Sequence, residues 1–511
     1  MKAIKHLKKP TSVQKKKNNQ YKVVVSYPPL PSEKGIPLLG QNRQFQWFNN
    51  PTYIYPMVPA YAASLLKEYG YNVMWDDAIA ENLTTDEWLK RIKKFKPNLI
   101  AIESKTPVIK RHWQIIKDLK KALPKTKIIL MGDHVSAIPQ ESIKNCPVDF
   151  IATGGDYDFL LLNIANHLNH KEPLESGIWY RKNKKVLNTG HFFLNHDLNE
   201  LPMIDRDLTQ WQLYAYKNGN YKVTPGTYIY SGRDCWWGRC TFCSWTTLYP
   251  GKNFRRHSAK RMLDEIGILI EKYHIREIMD DSGTLPVGDW LKEFCEGMIE
   301  RGYNKKVRIN CNMRLHALSQ KEYDLMGKAG FRFILYGLES GNQSTLDKIN
   351  KNLKVKQIAV SLRRAKKAGL EPHITTMIGY PWESKKQAEK TINLAKSLFD
   401  EGIVDTLQAT ILIPYPGTPL FAECVQKGWL LTDDWDDFDQ RMAIMESPLT
   451  DKDVKELTQS LYKSFITPKF VLRKLLSIRS WDDIQFIFRA GLKVLGHLTD
   501  FSPKKKECDN C

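Results

Sequence analysis

The chain has 511 residues, of which 42% are hydrophobic and 26% are charged, a composition typical of a folded globular protein rather than a disordered one. Its formal net charge is +21, which raises the question of an anionic partner such as nucleic acid or a lipid surface. No stretch approaches the roughly 20 apolar residues of a membrane-spanning helix, so we do not expect the chain to span a membrane.

Cysteine usage argues against a disulfide scaffold. The nine cysteines are few and unevenly spaced, and no secretory signal is recognised at the N-terminus. We therefore expect a reducing, cytoplasmic location, in which clustered cysteines bind metal.

The chain begins with a basic segment and continues into a regular alternation of strands and helices. Residues 1–18 are predicted to form a disordered tail, because the first 20 residues hold seven lysines and no acid. Residues 19–172, from "YKVVVSYPPL" to "VDFIATGGDYDFLLLNIANHL", alternate continuous apolar strands with helices of 10 to 15 residues. This pattern predicts an α/β domain with a doubly wound parallel sheet.

Ligands of such sheets bind beyond the carboxyl ends of the strands. Small or polar residues occupy those ends here, and the candidates are Ser104, Thr106, Gly132, Asp133, His134, Gly154 and Gly155. They suit a large polar ligand, although the glycines could equally serve only to make tight turns.

A second series of repeats follows a predicted hairpin and linker over residues 173–225. Six strand-helix repeats over 226–425 predict an open parallel β/α barrel, whose active site is expected at the C-terminal strand ends. Residues 426–511 are predicted to form a small helical region with a basic tail.

The first barrel strand leads directly into "SGRDCWWGRCTFCSW", residues 231–245, which contains Cys235, Cys240 and Cys243. A structural zinc site needs four protein ligands, and no second pair lies nearby. Three cysteines can instead hold three irons of a [4Fe-4S] cluster and leave the fourth iron open to a small molecule.

This loop resembles that of the radical S-adenosylmethionine (SAM) family, in which an aromatic residue precedes the last cysteine, as Phe242 does here. The resemblance implies that the amino and carboxylate groups of SAM bind the open iron. Four residues separate the first two cysteines, whereas three is the commonest family spacing.

Three later strand ends extend the resemblance. "MDDSG", with Asp280, Asp281 and Ser282, lies where the family binds the SAM amino group. Glu339 in "YGLESG" lies where the family contacts the ribose or methionine part. "MIGYPWES", with Gly379 and Glu383, lies beside the adenine.

An α/β domain before such a barrel resembles the cobalamin-binding branch of the family, over residues 20–430. The resemblance implies cobalamin contacts at the candidate strand ends of the first sheet. The motif Asp-x-His-x-x-Gly, which supplies a histidine to cobalt in many members, is absent. Cobalamin is therefore expected to bind without a histidine ligand, and His134 either lines the pocket of the nucleotide tail or is a half-exposed turn residue.

Three functions remain open. The first is methylation of an unactivated carbon in a small-molecule or lipid-like substrate, with a [4Fe-4S] cluster, SAM and cobalamin, and with a low-potential electron donor such as flavodoxin or ferredoxin. The second is the same radical chemistry without net methyl transfer, as in the anaerobic porphyrin-ring cyclase. The third is a non-catalytic Fe-S or nucleic-acid-binding protein, which the strand-end carboxylates argue against. Neither the substrate nor the oligomeric state can be read from the sequence.

The remaining features have two readings each. The C-terminal helices either cap the barrel or lie on an anionic membrane, where they could bring the site to a lipid-like substrate. Cys508 and Cys511 could bind a metal or form a redox pair. Trp236, Trp237 and Trp245 could keep water from the cluster or simply pack. The isolated cysteines are expected to be core or surface residues: Cys146, Cys295, Cys311 and Cys424.

Overall fold

The computed structural model describes residues 20–39, 45–49, 52–183, 185–219, 221–233, 235–251, 253–464, 467–478 and 480–489. The predicted basic tail and the Cys508–Cys511 pair lie outside these residues. Among the described residues, none of the helices combines the length and the apolar character that crossing a bilayer requires.

The first sheet has seven strands in the order β4-β1-β5-β6-β7-β8-β9. Strands β1 and β4 to β7 are parallel, whereas β8 and β9 form an antiparallel hairpin at the edge. A separate antiparallel pair, β2 with β3, was not predicted from the sequence. The strands are Lys22–Tyr27 (β1), Ile36–Leu38 (β2), Gln46–Phe48 (β3), Asn72–Asp77 (β4), Leu99–Glu103 (β5), Lys127–Met131 (β6), Phe150–Ala152 (β7), Ile178–Lys182 (β8) and Lys185–Asn188 (β9).

Helices cover both faces of this sheet. Alternate residues of each strand point to opposite faces, so one strand contributes side chains to two cores. Val23 and Val25 pack in the core formed with α1 and α6, whereas Val24 packs in the core formed with α2 and α3. The predicted doubly wound fold is confirmed. The helices are Met57–Glu68 (α1), Thr85–Phe95 (α2), Ile109–Ala122 (α3), Asp133–Ala137 (α4), Pro139–Asn145 (α5), Tyr157–His170 (α6) and Gln212–Ala215 (α7).

The second sheet has six parallel strands that follow one another in chain order, β10-β13-β14-β15-β16-β17. This is the arrangement predicted for an open β/α barrel. A short antiparallel pair, β11 with β12, stands apart from it. The strands are Gly226–Ile229 (β10), Gly232–Arg233 (β11), Arg255–Arg256 (β12), Glu277–Asp280 (β13), Arg308–Met313 (β14), Phe331–Glu339 (β15), Glu371–Ile378 (β16) and Thr406–Ile411 (β17).

Helices connect these strands and enclose one large apolar core, which includes the buried Cys295, Cys311 and Cys424. Cys146 is buried in the first sheet's core, so all four isolated cysteines are core residues. The helices are Trp245–Leu248 (α8), Ala259–Glu271 (α9), Asp289–Glu300 (α10), Gln320–Lys328 (α11), Gln343–Lys348 (α12), Val355–Lys367 (α13), Lys385–Glu401 (α14), Pro419–Lys427 (α15), Asp451–Ser464 (α16) and Pro468–Leu476 (α17).

Helix α17 and the helical residues 481–489 lie at the N-terminal end of the barrel strands. Lys474 of α17 pairs at 2.8 Å with Asp405, the residue before β17. Residues 481–489 are also helical, and Asp482 pairs at 2.7 Å with Arg276, the residue before β13. These helices therefore contact the end of the barrel opposite to the cysteine loop, which follows the C-terminal end of β10.

Candidate functional site

The three clustered cysteines line one cavity of about 220 Å³ at the C-terminal ends of the barrel strands. Cys235, Cys240 and Cys243 are not joined in disulfides, and Cys235 Sγ lies 2.9 Å from Thr284 Oγ1. Among the described residues, no three side chains of His, Cys, Asp or Glu are gathered closely enough to hold one metal ion. Other polar groups of the lining are Thr284, Asn312, Arg314, Glu339 and Lys351.

The entry to the cysteine loop is fixed by hydrogen bonds to the end of β13. Ser282 Oγ accepts a hydrogen bond from the Gly232 N–H at 2.9 Å and donates one to Asp280 Oδ1 at 2.5 Å. Asp280 Oδ1 also accepts from the Ser282 N–H at 3.0 Å, and burial raises the pKa of this carboxyl. Two residues predicted to bind SAM are thus engaged in holding the start of the loop.

The exit of the loop packs against the first sheet. The Gly155 N–H donates to the Leu248 carbonyl at 2.9 Å, and the Tyr249 hydroxyl donates to the Gly155 carbonyl at 3.1 Å. A Cβ at Gly155 would overlap the Tyr249 ring, so glycine is required for this approach. The loop is therefore held between the barrel and the N-terminal sheet.

A buried ionic network joins the strands that bracket the loop to helix α6. Arg233 pairs with both Asp156, at 3.0 Å, and Asp158. Arg255 pairs with Asp156 at 2.6 Å, and His196 Nδ1 lies 3.1 Å from the same carboxylate. Burial opposes ionisation of Asp156, but His196 and the two arginines outweigh it and hold its pKa far below the usual range.

An ion pair lines the same cavity as the cysteines. Lys351 Nζ donates to Glu339 Oε1 at 2.7 Å, and both side chains are buried. Burial opposes the charge of Lys351, but the Glu339 carboxylate raises its pKa. Glu339 has a φ of 66°, a left-handed conformation that turns the chain at the end of β15.

Arg314 lies beside the cysteine loop, directly after β14. Its guanidinium carbon is 4.7 Å from the Trp237 ring and 5.5 Å from the Trp236 ring, both within cation–π range. It is 8% exposed and forms no salt bridge with any of the described residues. Burial raises the pKa of the Cys240 thiol, whereas Lys351 and Arg314 act to lower it.

The other predicted SAM contacts occupy different places. Phe242 lines the cavity. Asp281 is buried, and its N–H donates to the Ile229 carbonyl at 3.0 Å. Gly379 turns the chain after β16 with a φ of 98°, and Glu383 accepts hydrogen bonds from Ser340 at 2.9 Å and Thr345 at 2.5 Å. Gly379 and Glu383 are absent from the cavity lining, where Gly283, Thr284, Arg314 and Lys351 are present without having been predicted.

His134 and its neighbours on the first sheet are bound within the protein. His134 is fully buried, with Nδ1 3.2 Å from Thr106 Oγ1 and Nε2 3.1 Å from Glu141 Oε2. Ser104 Oγ lies 2.6 Å from His112 Nδ1. Both ring nitrogens of His134 thus have partners, and the half-exposed turn histidine allowed by the sequence is not what the structure shows.

Glycine and carboxylate positions on the same edge are also occupied by protein contacts. Gly132 has a φ of 118°, and a Cβ there would overlap the Ser104 carbonyl. Asp133 pairs with Lys105 at 3.3 Å. A Cβ at Gly154 would overlap the Phe192 ring, so Gly154 and Gly155 are each covered by an aromatic side chain.

Comparison with protein-family models matches residues 229–395 to the radical SAM superfamily. The match starts at the last residue of β10 and includes the cysteine loop, Glu339 and Glu383. This part of the chain is similar to the radical SAM superfamily.

Relatives of this chain carry names of two kinds of enzyme. An uncharacterised methyltransferase of Pyrococcus horikoshii is 28% identical over 82% of this chain and 89% of the relative. The anaerobic magnesium-protoporphyrin IX monomethyl ester cyclase of Rubrivivax gelatinosus is 24% identical over 82% of this chain and 75% of the relative.

Solved structures share the whole two-sheet fold. The cobalamin-dependent SAM radical enzyme OxsB, with aqua-cobalamin bound, covers 94% of this chain and 72% of its own, with a TM-score of 0.66 and 14% identity. The radical SAM methyltransferase TsrM of Kitasatospora setae, with cobalamin and a [4Fe-4S] cluster bound, covers 94% of this chain and 99% of its own, with a TM-score of 0.65 and 12% identity. The chain therefore shares the fold of these two solved structures.

Proposed function

We propose that this protein cleaves SAM with a [4Fe-4S] cluster held by Cys235, Cys240 and Cys243, and that with cobalamin it methylates an unactivated carbon of a small molecule. The observation that carries the proposal is one cavity lined by three cysteines together with the Glu339–Lys351 pair and Arg314. When bound, the cluster supplies the electron that breaks the SAM sulfonium bond, and cobalamin supplies a site for methyl transfer.

The donor set fits an iron-sulfur cluster better than a single ion. Zinc needs four ligands around one point, whereas a cluster takes one thiolate on each of three irons and tolerates a wider spacing. Lys351 and Arg314 place positive charge on the same cavity, which offsets the negative charge of three thiolates.

SAM can be oriented by groups of both signs in this cavity. Glu339 is placed to accept hydrogen bonds from the ribose hydroxyls, and Arg314 offers a buried cation to the methionine carboxylate. Asn312 Oδ1 is a buried acceptor without a partner in the described structure, and it lines the same cavity. The SAM amino group would meet the chain at Gly283 and Thr284, next to the predicted Asp281 and Ser282.

Cobalamin would lie between the cavity and the carboxyl edge of the first sheet. Tyr415 lines the cavity, and burial together with the Asp133 carboxylate of the first sheet's edge raises its pKa. Because both nitrogens of His134 are engaged, the cobalt would bind without histidine. A corrin ring could contact Gly154 and Gly155 only if Phe192 and Tyr249 moved.

Ring formation without net methyl transfer is the alternative, since a cyclase is among the relatives that match over the same share of the chain. The two activities differ in the fate of the SAM methyl group. We propose a low-potential donor such as flavodoxin or ferredoxin as the electron source for both.

The experiment is to reconstitute the protein with iron, sulfide and cobalamin without oxygen, and to supply SAM labelled in the methyl group. The proposal predicts 5′-deoxyadenosine together with label in a product from a metabolite extract. Deoxyadenosine without labelled product would favour the alternative, and absence of both would contradict the proposed chemistry. The Cys235→Ser protein is the matched control.

A further inference from the structure

The C-terminal helices expose an unusual concentration of large apolar side chains. Of the 17 exposed large hydrophobic residues in the described structure, seven lie between residues 471 and 488, whereas the others are scattered over the chain. Leu476, Trp481 and Phe488 are 75%, 70% and 68% exposed. A monomeric protein rarely leaves such a group facing water unless something binds to it. We call this set the C-terminal apolar surface: Val471, Leu472, Leu475, Leu476, Trp481, Ile484 and Phe488.

The spacing places these residues on one side of each helix. In α17 they recur at i, i+1, i+4 and i+5, and in 481–489 at i, i+3 and i+7, which are the spacings of a helical face. The opposite side of α17 is packed, since the Phe470 ring lies 5.8 Å from the Phe399 ring and Arg473 donates to the Phe399 carbonyl at 2.9 Å.

The second helix is attached in the same way. Asp483 pairs with Lys222 at 2.7 Å, and Arg489 donates to the Lys222 carbonyl at 3.2 Å. The Arg332 guanidinium lies 5.8 Å from the Phe486 ring. Both helices therefore cap the barrel, as one reading of the sequence predicts, while their outer faces stay apolar.

Charge around the C-terminal apolar surface is mainly positive. The only acids between residues 467 and 489 are Asp482 and Asp483, and both are used in salt bridges to the barrel. Lys469 is exposed next to the apolar face. Outside the described residues, the same part of the sequence adds Arg479, Lys493 and three lysines at 504–506, against the acids Asp500, Glu507 and Asp509.

We propose that the C-terminal apolar surface binds an anionic lipid bilayer. Exposed leucine, tryptophan and phenylalanine on a helix flanked by lysine and arginine suit the interface of such a membrane, because apolar groups enter the acyl boundary while cations meet the headgroups. Tryptophan in particular prefers this boundary. The barrel then rests on the membrane through its N-terminal end.

This orientation has a consequence for the substrate. The cysteines lie at the C-terminal ends of the strands, whereas α17 and residues 481–489 contact residues at the N-terminal ends. The reactive cavity would thus face away from the bilayer. The idea that these helices bring the site directly to a lipid-like substrate does not agree with this geometry, and the surface would locate the enzyme rather than present its substrate.

The test is flotation of the full chain with vesicles of phosphatidylcholine alone or mixed with phosphatidylglycerol. We expect the protein to float with the anionic vesicles, and high salt to weaken binding. Leu472→Glu and Phe488→Glu should each lower vesicle affinity about tenfold or more, since each removes an inserted apolar side chain. Val425→Glu, at a residue 56% exposed on α15, is the matched control and should bind as the wild type does.

Thermal unfolding of each variant, measured in parallel, verifies that the fold is intact. Equal flotation of the wild type and the two variants, or no flotation of the wild type, would overturn the proposal. Light scattering in solution completes the test: a wild-type dimer that becomes a monomer on Leu472→Glu would show that the surface joins two copies of this chain, and would also overturn it.

Discussion

Lys351 Nζ lies 2.7 Å from Glu339 Oε1 in the wall of the cysteine-lined cavity, and this ion pair exists because Gly337 has no side chain. A Cβ at Gly337 would overlap both Glu339 and Lys351. The pair holds the Glu339 carboxylate in one position, so that its second oxygen can meet a ligand without reorganisation.

Removing this carboxylate should weaken SAM binding without removing iron. Glu339→Ala is expected to lower SAM affinity about tenfold to a hundredfold, the cost of one charge-assisted hydrogen bond. Equilibrium binding and iron content should be measured on the same sample. Glu423→Ala, in the exposed Glu423–Lys427 pair, is the control. Unchanged affinity for SAM in Glu339→Ala would show that the carboxylate does not contact it.

Arg314 should select for the SAM carboxylate. We expect wild-type protein to bind SAM at least tenfold more tightly than decarboxylated SAM, because a buried guanidinium gains one charge-assisted partner. Arg314→Met should discriminate about tenfold less than the wild type, and what remains is due to the open iron, which the carboxylate is also expected to bind. Undiminished discrimination in Arg314→Met would show that this guanidinium does not contact the carboxylate.

Each of the three clustered cysteines should be indispensable for the cluster. Cys235→Ser, Cys240→Ser and Cys243→Ser are expected to lose the iron-sulfur absorbance and all SAM cleavage, since two thiolates do not hold a cluster with one open iron. Cys146→Ala, in the core of the first sheet, should keep both. Full activity in any of the three variants would contradict the assignment.

The Arg233 guanidinium should matter for stability far more than a surface arginine does. Arg233→Met leaves Asp158 with uncompensated buried charge and removes one of three partners of Asp156, and it should lower the free energy of unfolding by about 3 to 5 kcal/mol. Arg363→Met breaks the exposed pair with Glu401 and should cost less than about 1 kcal/mol. Denaturant titration of both variants measures the difference, and equal costs would contradict the role given to the buried network.

His196 makes part of the stability depend on pH. Burial alone would lower its pKa, but the hydrogen bonds to Asp156 and Glu175 raise it from 6.5 to about 9. Because the pKa is raised in the folded state, protonated His196 stabilises the fold. This stabilisation is complete below about pH 6.5 and is lost as the pH rises toward 9. The free energy of unfolding should therefore fall by up to ~3 kcal/mol more in the wild type than in His196→Gln over this range. A free energy of unfolding that falls equally with pH in the wild type and in His196→Gln would contradict this prediction.

The sequence predicted the strands well because a continuous apolar run such as "NLIAIES" can bury all its side chains only in a sheet covered on both faces. It also placed Glu339 in the cavity, since the residue ending a barrel strand faces the site. Asp280 and Ser282 end a strand as well, yet they bind each other and the start of the cysteine loop. Position in the chain does not reveal whether a side chain turns toward a ligand or back into its own loop.

Long-range contacts account for the rest of what the sequence could not predict. The sequence around Gly155 predicts a ligand-binding turn. In the structure the ring of Tyr249 covers Gly155, and Tyr249 belongs to the second domain, where it follows the cysteine loop. Lys351 and Arg314 carry no motif, because a single basic residue in a loop looks like any other. Only the folded chain brings them to the cysteines.

The buried network around Arg233 also sets an order of assembly. The ribosome delivers Asp156 and Asp158 with the first sheet, well before Arg233 and Arg255 and the cysteines between them, so the acidic site can form before the loop that needs it. Once both arginines are paired, the two ends of the loop are fixed and the thiols can receive iron. A chain that started at β10 would keep the three cysteines but lose the partners of both arginines. Assembly of the proposed cluster should therefore depend on a domain that contributes none of the three cysteines.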